Sequence, residues 1–162
     1  WLNEHYIKTT PPEDLARHLE PFLIRSGILE EGHGLDFAEI SRVIPSLNQR
    51  AKTLVEMAEK SAFYFKKGVE FDDKAKTKFL TDEARPLLEK AIAGLSQLEN
   101  FSSEEIELLF KKIVEEEDIK LGKLAQPVRV ALTGTTVSPG IYDVILLLGK
   151  DETLARLKQA LP

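Results

Sequence analysis

Residues 121–141 read LGKLAQPVRVALTGTTVSPGI, and this stretch decides how the whole chain is built. On a helical wheel turning roughly 100° per residue, Leu124, Ala125, Val128 and Leu132 fall on one face. Lys123, Gln126 and Arg129 occupy the opposite, polar arc. Gly134 ends the pattern inside a hydroxyl-rich turn, Thr133-Gly134-Thr135-Thr136. Ser138 then offers a cap and Pro139 a first position for a second helix, since proline has no N–H to lose there. Two amphipathic helices joined by a tight turn predict an all-α packing unit.

Working outward, the same period persists with little strand-like alternation. A short helix is predicted over residues 1–8. Thr10-Pro11-Pro12-Glu13 predicts a capping box opening the next helix, with Leu15, Leu19, Phe22 and Leu23 inward and Gly27 as its stop. After a polar loop at 30–34, a long pattern begins at Asp36 and runs to about Gly68, with Pro45 kinking or interrupting it. Residues 70–78 form a charged helical piece that Phe71 and Phe79 can anchor. Thr81-Asp82-Glu83 predicts a further start, feeding the stripe Leu87, Leu88, Ala91, Ile92, Leu95 and Leu98. Ser102 and Glu105 make a second capping box ahead of Ile106, Leu109, Phe110 and Ile113. Residues 139–148 and 151–161 complete the set, separated by Gly149. Pro21, Pro45, Pro86 and Pro127 each remove a backbone donor within or near these helices. The expected fold is an irregular all-α bundle of short, proline-bent helices in two packed subdomains, 1–68 and 69–162.

Composition narrows the function classes. Hydrophobic residues make up 43% of the 162, an ordinary globular share. Without cysteine there is neither a disulfide nor a thiolate zinc site. No apolar run approaches the roughly 20 residues of a membrane span, and no secretory signal pattern is present. The chain starts at Trp1 and not at Met, which reads as a piece of a longer protein. Net charge is −5 and the pI near 5.3, an acidic balance that on its own opposes nucleic-acid binding. The charge is segregated, however. Residues 119–142 hold no Asp or Glu and carry Lys120, Lys123 and Arg129, directly after the acidic run Glu115-Glu116-Glu117-Asp118. A local cationic face can still meet phosphate through a few contacts.

Catalytic patterns are lacking. His5, His18 and His33 show no metal-ligand spacing, and there is neither a phosphate-cradling glycine loop nor a nucleophile elbow. The chain is therefore expected to hold no catalytic residue, metal or cofactor of its own. Recognition is the stronger reading. Arg129 can present a planar fork to a base edge or phosphate. The hydroxyls of the following turn and the next helix start add donors. Residues alone leave open a plain helical hairpin in a bundle. Arg50 is a second candidate, placed by the pattern from Phe37 at the edge of a helical stripe, where a guanidinium can stand on an apolar base. Lys66-Lys67 and Lys111-Lys112 read as solvated helix faces, with phosphate contact by either pair as the alternative. The alternative to RNA recognition is a helical protein-interaction module, which the net charge favours.

Several stretches resemble bacterial glutamyl-tRNA synthetase downstream of its catalytic domain. They are WLNEHYI at 1–7, LNQRAKTL at 47–54, which is similar to the family's ERAKTL segment, and residues 121–134 followed by SPG at 138–140 and LLLGK at 146–150. The family attaches glutamate to tRNA(Glu) with ATP and Mg2+ in an upstream domain, and its helical region binds the anticodon. By this resemblance Arg50 reads the third anticodon base, and Arg129, Ser138 and Ile141 surround the first. Lys52, Lys120, Lys123, Thr135 and Thr136 are the implied contacts to the tRNA backbone. An arginine at the Arg50 position goes with preference for tRNA(Glu) over tRNA(Gln). The resemblance also implies a monomeric, cytoplasmic enzyme that does not engage membranes.

Overall fold

The computed structural model describes residues 4–162, and among them there are helices and no strand. Two compact units divide the chain, Trp1–Lys67 and Gly68–Pro162. Within the predicted first helix, Trp1, Leu2 and Asn3 lie outside the described residues.

In the first unit, α1 (Glu4–Thr9) precedes α2 (Pro12–Arg25), and α3 (Phe37–Ser41), α4 (Ile44–Leu47) and α5 (Leu54–Phe65) follow. Helix α2 packs against α3, α4 and α5, because Leu15, Leu19 and Leu23 recur on one face and are fully buried. Ile40, Val43, Ile44, Leu47 and Met57 meet them in the same core. Burying one such side chain completely is worth about 1.5–3 kcal/mol. The helix stops at Gly27, whose φ of 71° only glycine adopts cheaply, and the Ile28 N–H turns back to the Leu23 carbonyl at 2.9 Å.

Two expectations need correction here. The capping box at Thr10 does not form. Pro11 occupies the cap position without a side-chain hydrogen bond, and Pro12 opens α2. The long pattern from Asp36 breaks into three pieces. Asp36 does cap α3 in a full capping box with Glu39. Pro45 falls in the first turn of α4, where its missing donor costs nothing. After Leu47 the backbone closes a turn, with the N–H groups of Arg50 and Ala51 both on the Leu47 carbonyl, at 2.8 and 2.9 Å. Residue 53 is extended before α5 begins. Arg50 therefore sits on a turn, not on a helical stripe.

The second unit holds α6 (Asp73–Phe79), α7 (Arg85–Gln97), α8 (Ser103–Glu116), α9 (Leu121–Thr133) and α10 (Ile141–Gln159). Helix α7 starts after a turn at 82–84, later than the predicted Thr81 start, with Pro86 in its first turn. Ser102 caps α8 by accepting the Glu105 N–H at 3.2 Å. Helix α9 is the centre of the unit and packs against α6, α7, α8 and α10. Its buried set is wider than the predicted stripe, adding Pro127, Val130 and Ala131 to Leu124, Ala125, Val128 and Leu132. Only the arc through Lys123, Gln126 and Arg129 escapes full burial along the middle of the helix. Helix α10 starts at Ile141, two residues after the predicted Pro139. It breaks at Gly149, where φ 79° and ψ 169° leave the helical region, so the expected stop there is real.

Candidate nucleic-acid interface

The corner between α9 and α10 is built from short-range hydrogen bonds within residues 129–139. Arg129 Nε donates to Ser138 Oγ at 2.8 Å, and Ser138 Oγ donates to the Pro139 carbonyl at 2.7 Å. Ser138 is thereby spent inside the turn. The prediction that it caps the next helix is corrected: Gly140 takes the cap position, with no side-chain bond. Thr133 Oγ1 donates to the Arg129 carbonyl at 2.8 Å, and Thr135 Oγ1 donates to the Val137 carbonyl at 2.9 Å. Each of these four hydroxyl and guanidine groups thus has a partner within residues 129–139, three of the bonds ending on backbone carbonyls.

Two supports hold this corner from behind. Gly134 has φ 79°, and its N–H closes α9 on the Val130 carbonyl at 2.8 Å. Residues 70–72 run across it: the Asp72 N–H donates to the Gly134 carbonyl at 2.9 Å, and a Cβ at Gly134 would stand 1.9 Å from the Glu70 carbonyl oxygen. Arg156, only 3% exposed, donates from Nη1 to the Leu132 carbonyl at 2.8 Å and from Nε to Glu152 Oε1 at 2.7 Å. A buried guanidinium is costly unless paired, so this one both needs and stabilises the end of α9.

Toward solvent, Thr135, Thr136 and Val137 are exposed, Val137 to 77%. Lys120 and Lys123 are exposed at the start of α9. Ile141 is 6% exposed, so its side chain serves the core and its backbone N–H is what it can offer a ligand. Beside it the Tyr142 ring lies edge-on to Phe110, centroids 5.6 Å apart. Burial raises the Tyr142 pKa, helped by Glu107, which keeps its hydroxyl a neutral donor. Gln126 belongs to the same arc, and its Oε1 is buried with no hydrogen-bond partner. The helical wheel had placed Gln126 on the polar arc, but its orphaned acceptor is a packing result that spacing does not reveal.

Arg50 and Lys52 stand together on a different turn, in the first unit. Both are exposed. Lys60 Nζ donates to the Arg50 carbonyl, and Glu56 Oε2 accepts the Lys52 N–H at 3.0 Å. Thr53 caps α5 through the Glu56 N–H at 3.1 Å. The main chain of this turn is clamped from α5 while the Arg50 side chain extends into solvent. Elsewhere, Lys111 and Lys112 pair with Glu107 and Glu116 along their helix, at 3.0 and 3.8 Å. His33 is engaged by Glu20 at 3.0 Å and by the Leu35 N–H. No group of three His, Cys, Asp or Glu suited to a metal ion occurs among the described residues. Nor, among them, is any helix long and apolar enough to cross a membrane.

The chain as a whole resembles known proteins in sequence and in fold. A family model described as an anticodon binding domain covers residues 14–161. The chain is 47% identical over 161 residues to a glutamate–tRNA ligase of Thermodesulfovibrio yellowstonii, covering 99% of the chain and 35% of that protein. It is 45% identical over 161 residues to the glutamate–tRNA ligase of Geotalea uraniireducens, covering 99% of the chain and 34% of that protein. The chain thus spans about a third of the length of these relatives. A crystal structure of a glutamate tRNA ligase from Elizabethkingia meningosepticum superposes with a TM-score of 0.81 at 23% identity, over 98% of this chain and 30% of that one, which establishes the shared fold.

Proposed function

We propose that this protein reads the anticodon of tRNA(Glu), and the premise is its family: the chain belongs to the anticodon binding domain family. The observation that carries the reading is the Arg129–Ser138 bond at the α9–α10 corner. It aims a guanidinium from a rigid base, so less rotamer freedom is lost when a base or phosphate arrives. Arg129, Ser138 and the Ile141 backbone surround the first anticodon base in this reading, and Arg50 meets the third. Thr135, Thr136, Lys52, Lys120 and Lys123 touch the sugar–phosphate chain. Those contacts are few, which fits a binder of net charge −5 with a shallow salt dependence.

The longer protein attaches glutamate to tRNA(Glu) with ATP and Mg2+, as a monomer in the cytoplasm, through a part outside this chain. Recognition here acts at a distance. Binding energy from bases remote from the reacting group is used to align the acceptor end. Titration of the chain with an RNA hairpin carrying the tRNA(Glu) anticodon loop tests this directly. Arg129→Ala and Arg50→Ala should each weaken binding by about 1–3 kcal/mol, the worth of one good base contact. Equal affinity of both variants and the parent protein would overturn the assignment.

A further inference from the structure

We infer a second nucleotide site in the same unit, resting on the reading that the α9–α10 corner meets tRNA: a cavity of about 230 Å³ at the start of α9 takes the base and phosphate of an unpaired nucleotide in that RNA. Its walls come from three helices. Phe79 of α6, Leu87 of α7 and Pro127 of α9 supply apolar and aromatic surface, the kind on which splayed bases stack. Lys78 and Lys123 supply two cations at the same cavity, and Lys78 Nζ lies 5.2 Å from the Phe79 ring centroid. Glu83 is the one carboxylate of the lining, and a carboxylate accepts from the exocyclic amine of a base. Stacking surface, paired cations and an amine acceptor together match a nucleotide better than an apolar peptide, which would have no use for the lysines.

Gly122 sharpens the assignment. Glycine is a poor helix residue, yet it stands in the first turn of α9. No close packing explains it, because a Cβ there would meet nothing within 4 Å. What the missing side chain leaves is open space in the cavity wall. Lys123 and Arg129 share α9, six residues and so about 9 Å apart along its axis. One strand can reach both.

The test uses the whole chain and an RNA hairpin with the tRNA(Glu) anticodon loop. Gly122→Leu fills the cavity from a position without neighbours and places a good helix former in the helix, so the thermal midpoint should hold or rise. RNA affinity should fall about tenfold, the loss of one stacked base. Lys78→Gln, at the cavity cation that the anticodon reading does not use, should weaken binding and lower the slope of log affinity against log salt by about 1. Unchanged affinity in Gly122→Leu, with Arg129→Ala still weakening it, overturns the cavity and leaves the anticodon reading standing. A hairpin that does not bind the parent protein overturns both. Should Gly122→Leu lower the thermal midpoint, the salt slope of Lys78→Gln decides, and an unaltered slope overturns the cavity.

Discussion

Arg50 and Arg129 both stand beside turns, but the two turns restrain different parts of the residue. At Arg50 the main chain is fixed, by the Leu47 carbonyl on one side and Lys60 on the other, and the side chain is left in solvent. At Arg129 the side chain itself is fixed, by Ser138, on a helix buried along most of its surface. An exposed arginine gives up as much as about 2 kcal/mol of rotamer freedom when it is immobilised. Arg129 has met part of that cost on folding, and Arg50 has not. The difference teaches that equal charge does not mean equal readiness: the α9–α10 corner holds its guanidine in place, and the 47–54 turn holds only its main chain.

Breaking the corner from behind should give the largest effect. Gly134→Ala forces a Cβ into left-handed backbone and into the Glu70 carbonyl. The expected loss is about 2–4 kcal/mol of stability, read as a lower urea midpoint. An unchanged midpoint would mean that residues 70–72 do not hold the corner. Next in size is Ser138→Ala, which frees the Arg129 guanidine Nε. RNA affinity should drop by about 1 kcal/mol. The two substitutions should also be non-additive, so that Arg129→Ala costs less in the Ser138→Ala background. Simple additivity would erase the contrast drawn between the two arginines.

On the other turn, Lys60→Met removes the clamp on the Arg50 carbonyl. Because that lysine is exposed, stability should change by no more than about 1 kcal/mol. Affinity for the hairpin should fall less than in Ser138→Ala, since the Arg50 side chain was free beforehand. The smallest effect concerns acid. Lys8 donates to Glu4 at 2.6 Å and holds its carboxyl below the ordinary 4.5. A depressed carboxylate contributes stability above its unfolded value and loses it as pH falls through the folded one. Carboxyl NMR shifts of Glu4 should therefore titrate below 4.5, and Lys8→Ala should move that titration upward.

Much of the fold was legible because helices announce themselves twice, by period and by punctuation. The α9 stripe, the Ser102 cap and the breaks at Gly27, Gly134 and Gly149 all follow from local chemistry. The failures share a cause. Periodicity counts residues without knowing whether the backbone is wound, so the pattern from Phe37 ran through 48–53 as if the Leu47 carbonyl had not gathered two N–H groups into a turn. Capping rules likewise rank side chains but not competitors. Thr10 lost its place to Pro11, and Ser138 was drawn off by Arg129, nine residues earlier in the chain. Of the candidate site, the residue types were readable, along with the arc carrying Lys123, Gln126 and Arg129. The burial of Ile141, the Arg156 support and the strap over Gly134 were not, because each depends on segments distant in sequence.

That strap has a consequence for how the molecule comes into being. Residues 70–72 leave the ribosome long before Gly134 exists to receive them, and Lys150, whose Nζ donates to the Leu98 carbonyl at 2.8 Å, emerges later still. The corner of the second unit is therefore complete only once the chain has been made past Gly134. The unit's early helices are made before α9 and α10, which complete their core, while the first unit has all its parts once α5 follows α2.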